Sequence, residues 1–316
     1  MGTGILAIGC KTFGFPLLAK VLFYFNVVLF GILLIPWILR WVLYAQHAFD
    51  DLYNPLISHF YATLPVGMLV IAAGFHALFG MDDMAQIFWW PGAILTFLAA
   101  ILIPYVMFKH EGVKIEHIYP GWFIPPVGMI VIPIGGSIVL AHTTGLLHDV
   151  ALVINIVGLG TGIFLYLSLL AICMYRFILY KLLPNKLAPT IWINLGPIGA
   201  GTLALFNLFK TLGMAKTIIP LCFILWGFGI WWVVIAILMT VYYIRKLTLP
   251  YTLSWWAFIF PLGAYVNATG LVAKLGVAGD GPIGLALLGL LAGLWIVTLW
   301  KTVCGTFSGQ LFGCGN

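Results

Sequence analysis

The chain has 316 residues, of which 63% are hydrophobic and only 7% are charged. Soluble domains carry roughly a quarter charged residues, so this composition excludes a water-soluble fold and indicates that most of the surface faces lipid. The net charge of +6 could suggest a nucleic-acid partner. The lysines and arginines stand singly at the ends of apolar segments, however, and we expect no nucleic-acid binding.

Nine apolar segments are long enough for a transmembrane helix, which needs about 20 residues. A short apolar stub, residues 1–10, precedes them and cannot cross a membrane alone. The sequence therefore predicts one all-α transmembrane domain over residues 1–316, with about ten helices of which the first is incomplete. The predicted spans are 16–45, 56–80, 84–108, 121–142, 149–176, 188–210, 217–244, 251–274 and 281–303.

The basic residues predict the orientation in the membrane. With the stub counted as the first helix, most lysines and arginines lie at the ends of the even-numbered spans. Cytoplasmic loops carry an excess of Lys and Arg, so we predict that this side and both termini are cytoplasmic, in the cell membrane. The residues on this side are Arg40, Lys109, Lys114, Arg176, Lys181, Lys186, Arg245, Lys246 and Lys301.

The acidic residues and cysteines carry no pattern of an enzyme. Seven of the eight acids lie outside the predicted spans and Asp149 is the first residue of one, so none is placed at mid-depth for a buried proton relay or a cation site. The five cysteines form no CxxC pair, and we expect neither a metal nor a cofactor. HExxH, GxSxG and Walker motifs are absent from the sequence, which argues against an enzyme. Six acids are interpreted as preceding a helix, where they suit its N-terminal end: Asp50, Asp51, Asp82, Asp83, Asp149 and Asp280.

A proline followed two residues later by a glycine recurs in four odd-numbered spans, roughly 60–70 residues apart. The stub keeps two glycines but lacks the proline. Lipid does not tolerate the carbonyl that a proline leaves unpaired, and glycine permits close helix packing. We therefore predict five helical hairpins around a pseudo-fivefold pore, with the odd helices inside. The predicted kinks are Pro65 and Gly67, Pro126 and Gly128, Pro197 and Gly199, and Pro261 and Gly263.

The odd-numbered spans contain no Lys or Arg at mid-depth, so the predicted pore wall is weakly polar. Such a wall suits a conduit that must release its ions. His59, beside the first kink, could bind substrate or shuttle a proton, or it could be a hydrogen-bonded packing residue. The candidate lining residues are His59, Thr63, Asn194, Ser254 and Asn267.

Basic residues recur near the C-terminal ends of the odd helices, and five repeats would bring them to one mouth. A positive ring there would raise the local concentration of small anionic solutes. The alternative is that these residues only complement the helix dipoles, and both interpretations can hold together. The five residues are Lys11, His76, His142, Lys210 and Lys274.

At these motifs the sequence resembles the tellurite-resistance/dicarboxylate transporter family, which includes fungal malate permeases, sulfite exporters and plant slow anion channels. The resemblance implies ten helices in five hairpins around a central pore, often in a homotrimer. It also implies that Phe260 plugs the pore. Without the family resemblance, Phe260 would be interpreted as an ordinary aromatic residue of the core. The matching segments are Met1-Gly2-Thr3-Gly4, 54–67, 122–126, Leu195-Gly196-Pro197-Ile198-Gly199 and 255–263.

The leading expectation is therefore a transporter of small anions, with a C4-dicarboxylate such as malate as the substrate and Phe260 as the gate. The sequence departs from the malate and sulfite branch at Asn54, where relatives usually have His, and at Ala200, where they often have Gln. A sulfite exporter or a chloride or nitrate channel is the alternative, beside a tellurite-resistance permease. A membrane-embedded enzyme is the less favoured class.

Overall fold

The computed structural model describes residues 1–277, 281–309 and 311. Within these ranges the chain forms α-helices and short 3-10 segments, with no β-strand. Asp280 and Cys314, for which the sequence made predictions, lie outside the described residues. The α-helices are α1 (Gly2–Thr12), α2 (Pro16–Leu43), α3 (Ala45–Tyr53), α4 (Thr63–Phe79), α5 (Asp82–Phe108), α6 (Ile124–His142), α7 (Gly145–Leu179), α8 (Leu195–Thr211), α9 (Ala215–Lys246), α10 (Ile259–Lys274) and α11 (Pro282–Phe307).

The prediction of an all-α membrane protein is confirmed. Nine helical segments in the described part of the chain are long and apolar enough to cross a membrane, and their bounds differ from the predicted ones by only a few residues. The first helix, α1, has 11 residues and is thus about 16 Å long. It is shorter than a membrane span, as expected of the stub.

Five helices form a closed inner ring. α1, α4, α6, α8 and α10 contact one another in that order, and α10 returns to α1. Each of them also packs against the long outer helix that follows it in the chain, which gives five hairpins. In the four long inner spans, 61–89% of the most apolar stretch is buried, against 11–33% in the outer spans. The outer helices therefore offer their apolar side chains to lipid.

Four of the inner helices begin as 3-10 helices and continue as α-helices. The proline of each repeat is the third residue of the α-helical part. A proline is tolerated in the first turn of an α-helix, where its fixed φ suits the helix. The prolines thus stand at a change of helix type within each span, and the kinks themselves stay a prediction. The 3-10 segments are Ser58–Ala62, Pro120–Phe123, Asn185–Asn194 and Leu253–Phe258.

The repeated glycines differ in how closely they are packed. A Cβ atom added at Gly199 would lie 2.5 Å from backbone atoms of Ala264 and Tyr265, so α8 and α10 touch through their main chains. At Gly67 the nearest atom, in the ring of Phe30, would be 3.5 Å away, an ordinary contact. Close helix approach is therefore a property of particular repeats.

The chain between α2 and α4 holds a short surface helix that the sequence analysis did not separate. Arg40 of α2 forms an ion pair with Asp51 of α3, and Tyr61 donates a hydrogen bond to the same carboxylate over 2.9 Å. Asp51 was predicted to precede a helix, and the structure corrects this. Through these two contacts the Asp51 carboxylate holds α3 against α2 and against the following 3-10 segment.

Candidate functional site: the central cavity

A cavity of about 630 Å³ lies inside the inner ring, and all five inner helices contribute to its wall. The wall runs from the C-terminal ends of these helices toward their N-terminal ends. Because the five helices point in the same direction, residues at equivalent positions lie at similar depth. The cavity therefore divides into a mouth, a middle section and a deep end.

The deep end is apolar. The wall residues nearest the helix N-termini are Ile5, Leu69, Val131, Ala200 and Phe260. Phe260 is the second residue of α10, and only 6% of it is accessible. The wall residue that α10 contributes at this end is therefore a buried aromatic residue.

The middle section contains a few polar side chains among apolar ones, and the polar side chains are engaged within the wall. The Asn267 amide donates to the backbone carbonyls of Gly263 and Ile5, over 2.8 Å and 3.2 Å. Its oxygen accepts a hydrogen bond from Thr12, over 3.0 Å. Few free donors are left to hold an anion, so the wall is weakly polar, which favours release over tight binding.

The mouth contains four of the five predicted basic residues. His76, His142, Lys210 and Lys274, from four different inner helices, line the cavity. Lys11 is exposed and does not line the cavity, where α1 contributes Thr12 instead. The expected convergence of basic groups is thus present without the residue from α1.

The sequence analysis missed an acid at the mouth. Asp82, the first residue of α5, contacts Nδ1 of His76 at 2.5 Å and Nε2 of His142 at 3.1 Å. It was interpreted only as a helix-preceding acid. The pairing with His142 joins separate hairpins, and no local pattern in the sequence announces such a contact.

His59 lies away from the cavity, among aromatic side chains. It is fully buried in its 3-10 segment, with its ring centroid 4.7 Å from that of Trp122 and 5.5 Å from that of Tyr119. Ser58 Oγ lies 3.4 Å from its Nδ1. These contacts favour the packing alternative over substrate binding.

Three other predicted lining residues also lie outside the cavity wall. Thr63 donates to the carbonyl of Phe60 over 2.6 Å, and Ser254 donates to the carbonyl of Lys186 over 2.6 Å. Asn194 is fully buried at the end of its 3-10 segment. Each of these three residues comes before the part of its span that lines the cavity. Of the five candidates, only Asn267 lines the cavity.

Comparison with known proteins gives matches along the chain. The family described as voltage-dependent anion channel matches residues 1–303. An uncharacterized transporter of Methanocaldococcus jannaschii is 48% identical, over 99% of this chain and 92% of that protein. The sulfite efflux pump of Arthroderma otae is 26% identical, over 99% of this chain and 90% of its own. The malic acid transport protein of Schizosaccharomyces pombe is 22% identical, over 84% of this chain and 66% of its own.

Proposed function

Because this chain belongs to the voltage-dependent anion channel family and is a multi-pass membrane transporter of anions, we propose that anions pass through the central cavity and that Phe260 gates this route. One observation carries the proposal. All five inner helices line the cavity, basic residues line its mouth, and a buried phenylalanine is among the wall residues at the other end.

In the proposed route, the mouth of the cavity attracts the anion and the deeper wall lets it pass. Basic residues at the mouth raise the local anion concentration by long-range electrostatics. Beyond them the wall is apolar or has its polar groups engaged with one another, so an anion that moves inward loses hydration without gaining a tight site. Selectivity then follows from the cost of dehydration, and release from the absence of strong ligands.

The proposed gate is the ring of Phe260. It stands in the first turn of α10, directly after the 3-10 segment Leu253–Phe258. The aromatic ring is large and apolar. At the deep end of the cavity it therefore occupies the space that an ion would need and excludes the water that would hydrate the ion. Moving the ring aside would open the conduit while the helices keep their positions.

A C4-dicarboxylate such as malate is the first proposed substrate. Lys210 and Lys274 both line the mouth, and neither takes part in an ion pair within the described residues. Two unpaired ammonium groups suit a solute with two carboxylates. The malic acid transport protein of Schizosaccharomyces pombe supports the same substrate class.

Sulfite is the second proposed substrate, and a different observation favours it. The similarity to the sulfite efflux pump of Arthroderma otae extends over more of this chain than the similarity to the malic acid transport protein. A small oxyanion would also pass a weakly polar wall. Chloride and nitrate are further candidates, and a tellurite-resistance permease remains an alternative of the same class.

Anion current in planar bilayers tests the gate. We expect Phe260→Ala to raise the current about tenfold, which corresponds to a barrier lower by about 1.4 kcal/mol. The control is Phe206→Ala on α8, since Phe206 is half-buried but lies outside the cavity wall. Recording with malate, sulfite, chloride and nitrate ranks the substrates. Equal currents in wild type and Phe260→Ala would refute the gate, while exchange of malate in liposomes would then identify a carrier.

We also propose the membrane location, the orientation and the oligomeric state of the protein. The distribution of basic residues supports a cell-membrane protein with both termini in the cytoplasm. The family resemblance supports a homotrimer in which each protomer has its own pore. Helix α2 has the least buried span, with 11% buried, and is therefore the first surface to test as a subunit contact.

A further inference from the structure

A groove of about 780 Å³ runs along the outer helix α11, apart from the central cavity. The residues that α11 contributes to it recur about every fourth position, so they share one face of the helix. Tyr251, which precedes the 3-10 segment Leu253–Phe258, and Leu311, beyond the end of α11, also line the groove. The residues of α11 in the groove include Ile296, Val297, Trp300, Lys301, Cys304 and Ser308.

The polarity of this face changes along the helix. Ile296 lies near the middle of α11, and it and Val297 are exposed apolar side chains. Lys301 and Ser308 follow toward the C-terminal end, and the helix rises about 18 Å from residue 296 to residue 308. The middle of a transmembrane helix lies in the hydrocarbon and its end near the headgroups. The groove is therefore apolar at the depth of the acyl chains and polar at the depth of the headgroups.

Aromatic rings hold the positive charge at the polar end of the groove. Lys301 Nζ lies 5.8 Å from the ring centroid of Tyr251 and 5.7 Å from that of Trp255, within the range of cation–π contacts. Hydrogen bonds fix both rings. The Tyr251 hydroxyl shares one with Oγ1 of Thr302 over 2.6 Å, and the indole N–H of Trp255 donates to the carbonyl of Pro250 over 3.0 Å. The ammonium group is thus positioned by the protein itself.

The charge of Lys301 is available to a ligand. Lys301 takes part in none of the ion pairs among the described residues, and no acid in this part of the chain lines the groove. A cation–π contact uses the face of the ring, whereas the ammonium group has three N–H donors that suit a phosphate. Charge complementarity therefore favours a negatively charged group at this end.

We propose that the groove binds one anionic phospholipid, with its phosphate at Lys301 and an acyl chain along Ile296 and Val297. A dissolved anion would use only the polar end, and the apolar wall beyond it is what favours a lipid. A basic residue near the membrane surface strengthens the binding of an anionic headgroup about fivefold. The site lies outside the proposed anion route and does not depend on it.

Cys304 provides a measure of occupancy, because it lies in the groove and is exposed, whereas Cys10, Cys173 and Cys222 are buried. The test uses the full chain with Cys314→Ser in detergent, and it measures the rate at which a maleimide labels Cys304. We expect phosphatidylglycerol to slow the labelling at a concentration about fivefold lower than phosphatidylcholine with the same acyl chains. Glycerol phosphate, which has the charge without the chains, should not slow it.

Each other result of this titration contradicts the proposal. Equal protection of Cys304 by the two lipids would show that the headgroup charge is not recognised, and protection by neither would show that the groove holds no lipid. Protection by glycerol phosphate as strong as that by phosphatidylglycerol would identify a site for dissolved anions instead of a lipid site.

Substitution of Lys301 tests the residue that selects the headgroup. Lys301→Gln should raise the concentration of phosphatidylglycerol needed for half-protection about fivefold and leave that of phosphatidylcholine unchanged. Lys301→Arg keeps the charge and the cation–π contact, and should keep the preference. Lys246→Gln removes an equal charge from an exposed residue outside the groove and should behave as wild type. An equal loss of preference in Lys246→Gln and Lys301→Gln would assign the selection to general surface charge and overturn the site.

Discussion

Lysines and histidines at the mouth of the cavity have different electrostatic roles. The two histidines share one carboxylate, whose negative charge lies on their side of the mouth. Lys210 and Lys274 line the same mouth without a carboxylate partner among the described residues. The attraction of anions is therefore expected to come mainly from the side formed by α8 and α10.

Removing one of these lysines tests this division. We expect Lys210→Gln to lower anion flux roughly threefold at about 10 mM salt, where the Debye length is about 30 Å, and to have little effect at about 1 M salt. Lys216→Gln makes the same change of charge on an exposed residue outside the cavity wall. Flux of the labelled anion into liposomes is the measurement, and an equal loss in the two variants would argue against a local role.

Arg176 shows how a residue type can mislead sequence analysis. It was grouped with the basic residues of the cytoplasmic side, yet it is only 3% accessible. Its Nε and Nη1 atoms have no hydrogen-bond partner within the described residues. Its positive charge agreed with the excess of Lys and Arg expected on the cytoplasmic side. Its burial depends on the helices that cover it, which the sequence does not show.

At the scale of the element, the repeat combines two kinds of helix. The 3-10 segments and the α-helices that follow differ in hydrogen-bond register, i→i+3 against i→i+4. The proline stands in the first turn after this change of register. The sequence located this point in all four repeats but did not indicate which helix type lies on each side. Both types are apolar here, so the hydrophobic pattern alone does not separate them.

The glycines of the repeat predict unequal sensitivity to substitution. Gly199→Ala should lower the stability by about 1–3 kcal/mol, because its methyl group would meet the backbone of α10 and force the helices apart. Gly67→Ala should be tolerated, since its Cβ would meet only an ordinary contact with Phe30. Thermal unfolding in detergent followed by size-exclusion chromatography compares the two. Similar midpoints for both variants would show that α8 and α10 can separate at little cost.

At the scale of the whole molecule, the closed inner ring explains how a cavity with basic residues at its mouth is kept apart from lipid. The outer helices pack around the inner ring and shield it from hydrocarbon. The family resemblance and the all-α membrane fold inferred from the sequence are both confirmed. The domain limits, the roles of the site residues and the orientation stay predictions.

Thiol labelling tests the orientation. Cys304 is exposed near the end of α11, while Cys10, Cys173 and Cys222 are buried. In a Cys314→Ser background, a membrane-impermeant maleimide should label Cys304 in inverted vesicles and not in intact cells. A second variant, Lys216→Cys with Cys304→Ser, should show the opposite pattern, because Lys216 is exposed at the other end of the hairpins. Labelling of Cys304 in intact cells would reverse the proposed topology.

The sequence by itself determined the membrane environment, the helical spans, the five-hairpin organisation and the positions of Phe260, Lys210 and Lys274 within it. These features follow from local composition and from a repeat along the chain, which lipid as a solvent constrains strongly. Only the tertiary structure decided which polar residues line the cavity, that Asp82 joins His76 to His142, and that His59 is packed away. Such contacts depend on side-chain direction and on which helices become neighbours, and residues far apart in the chain leave no periodic signal of meeting.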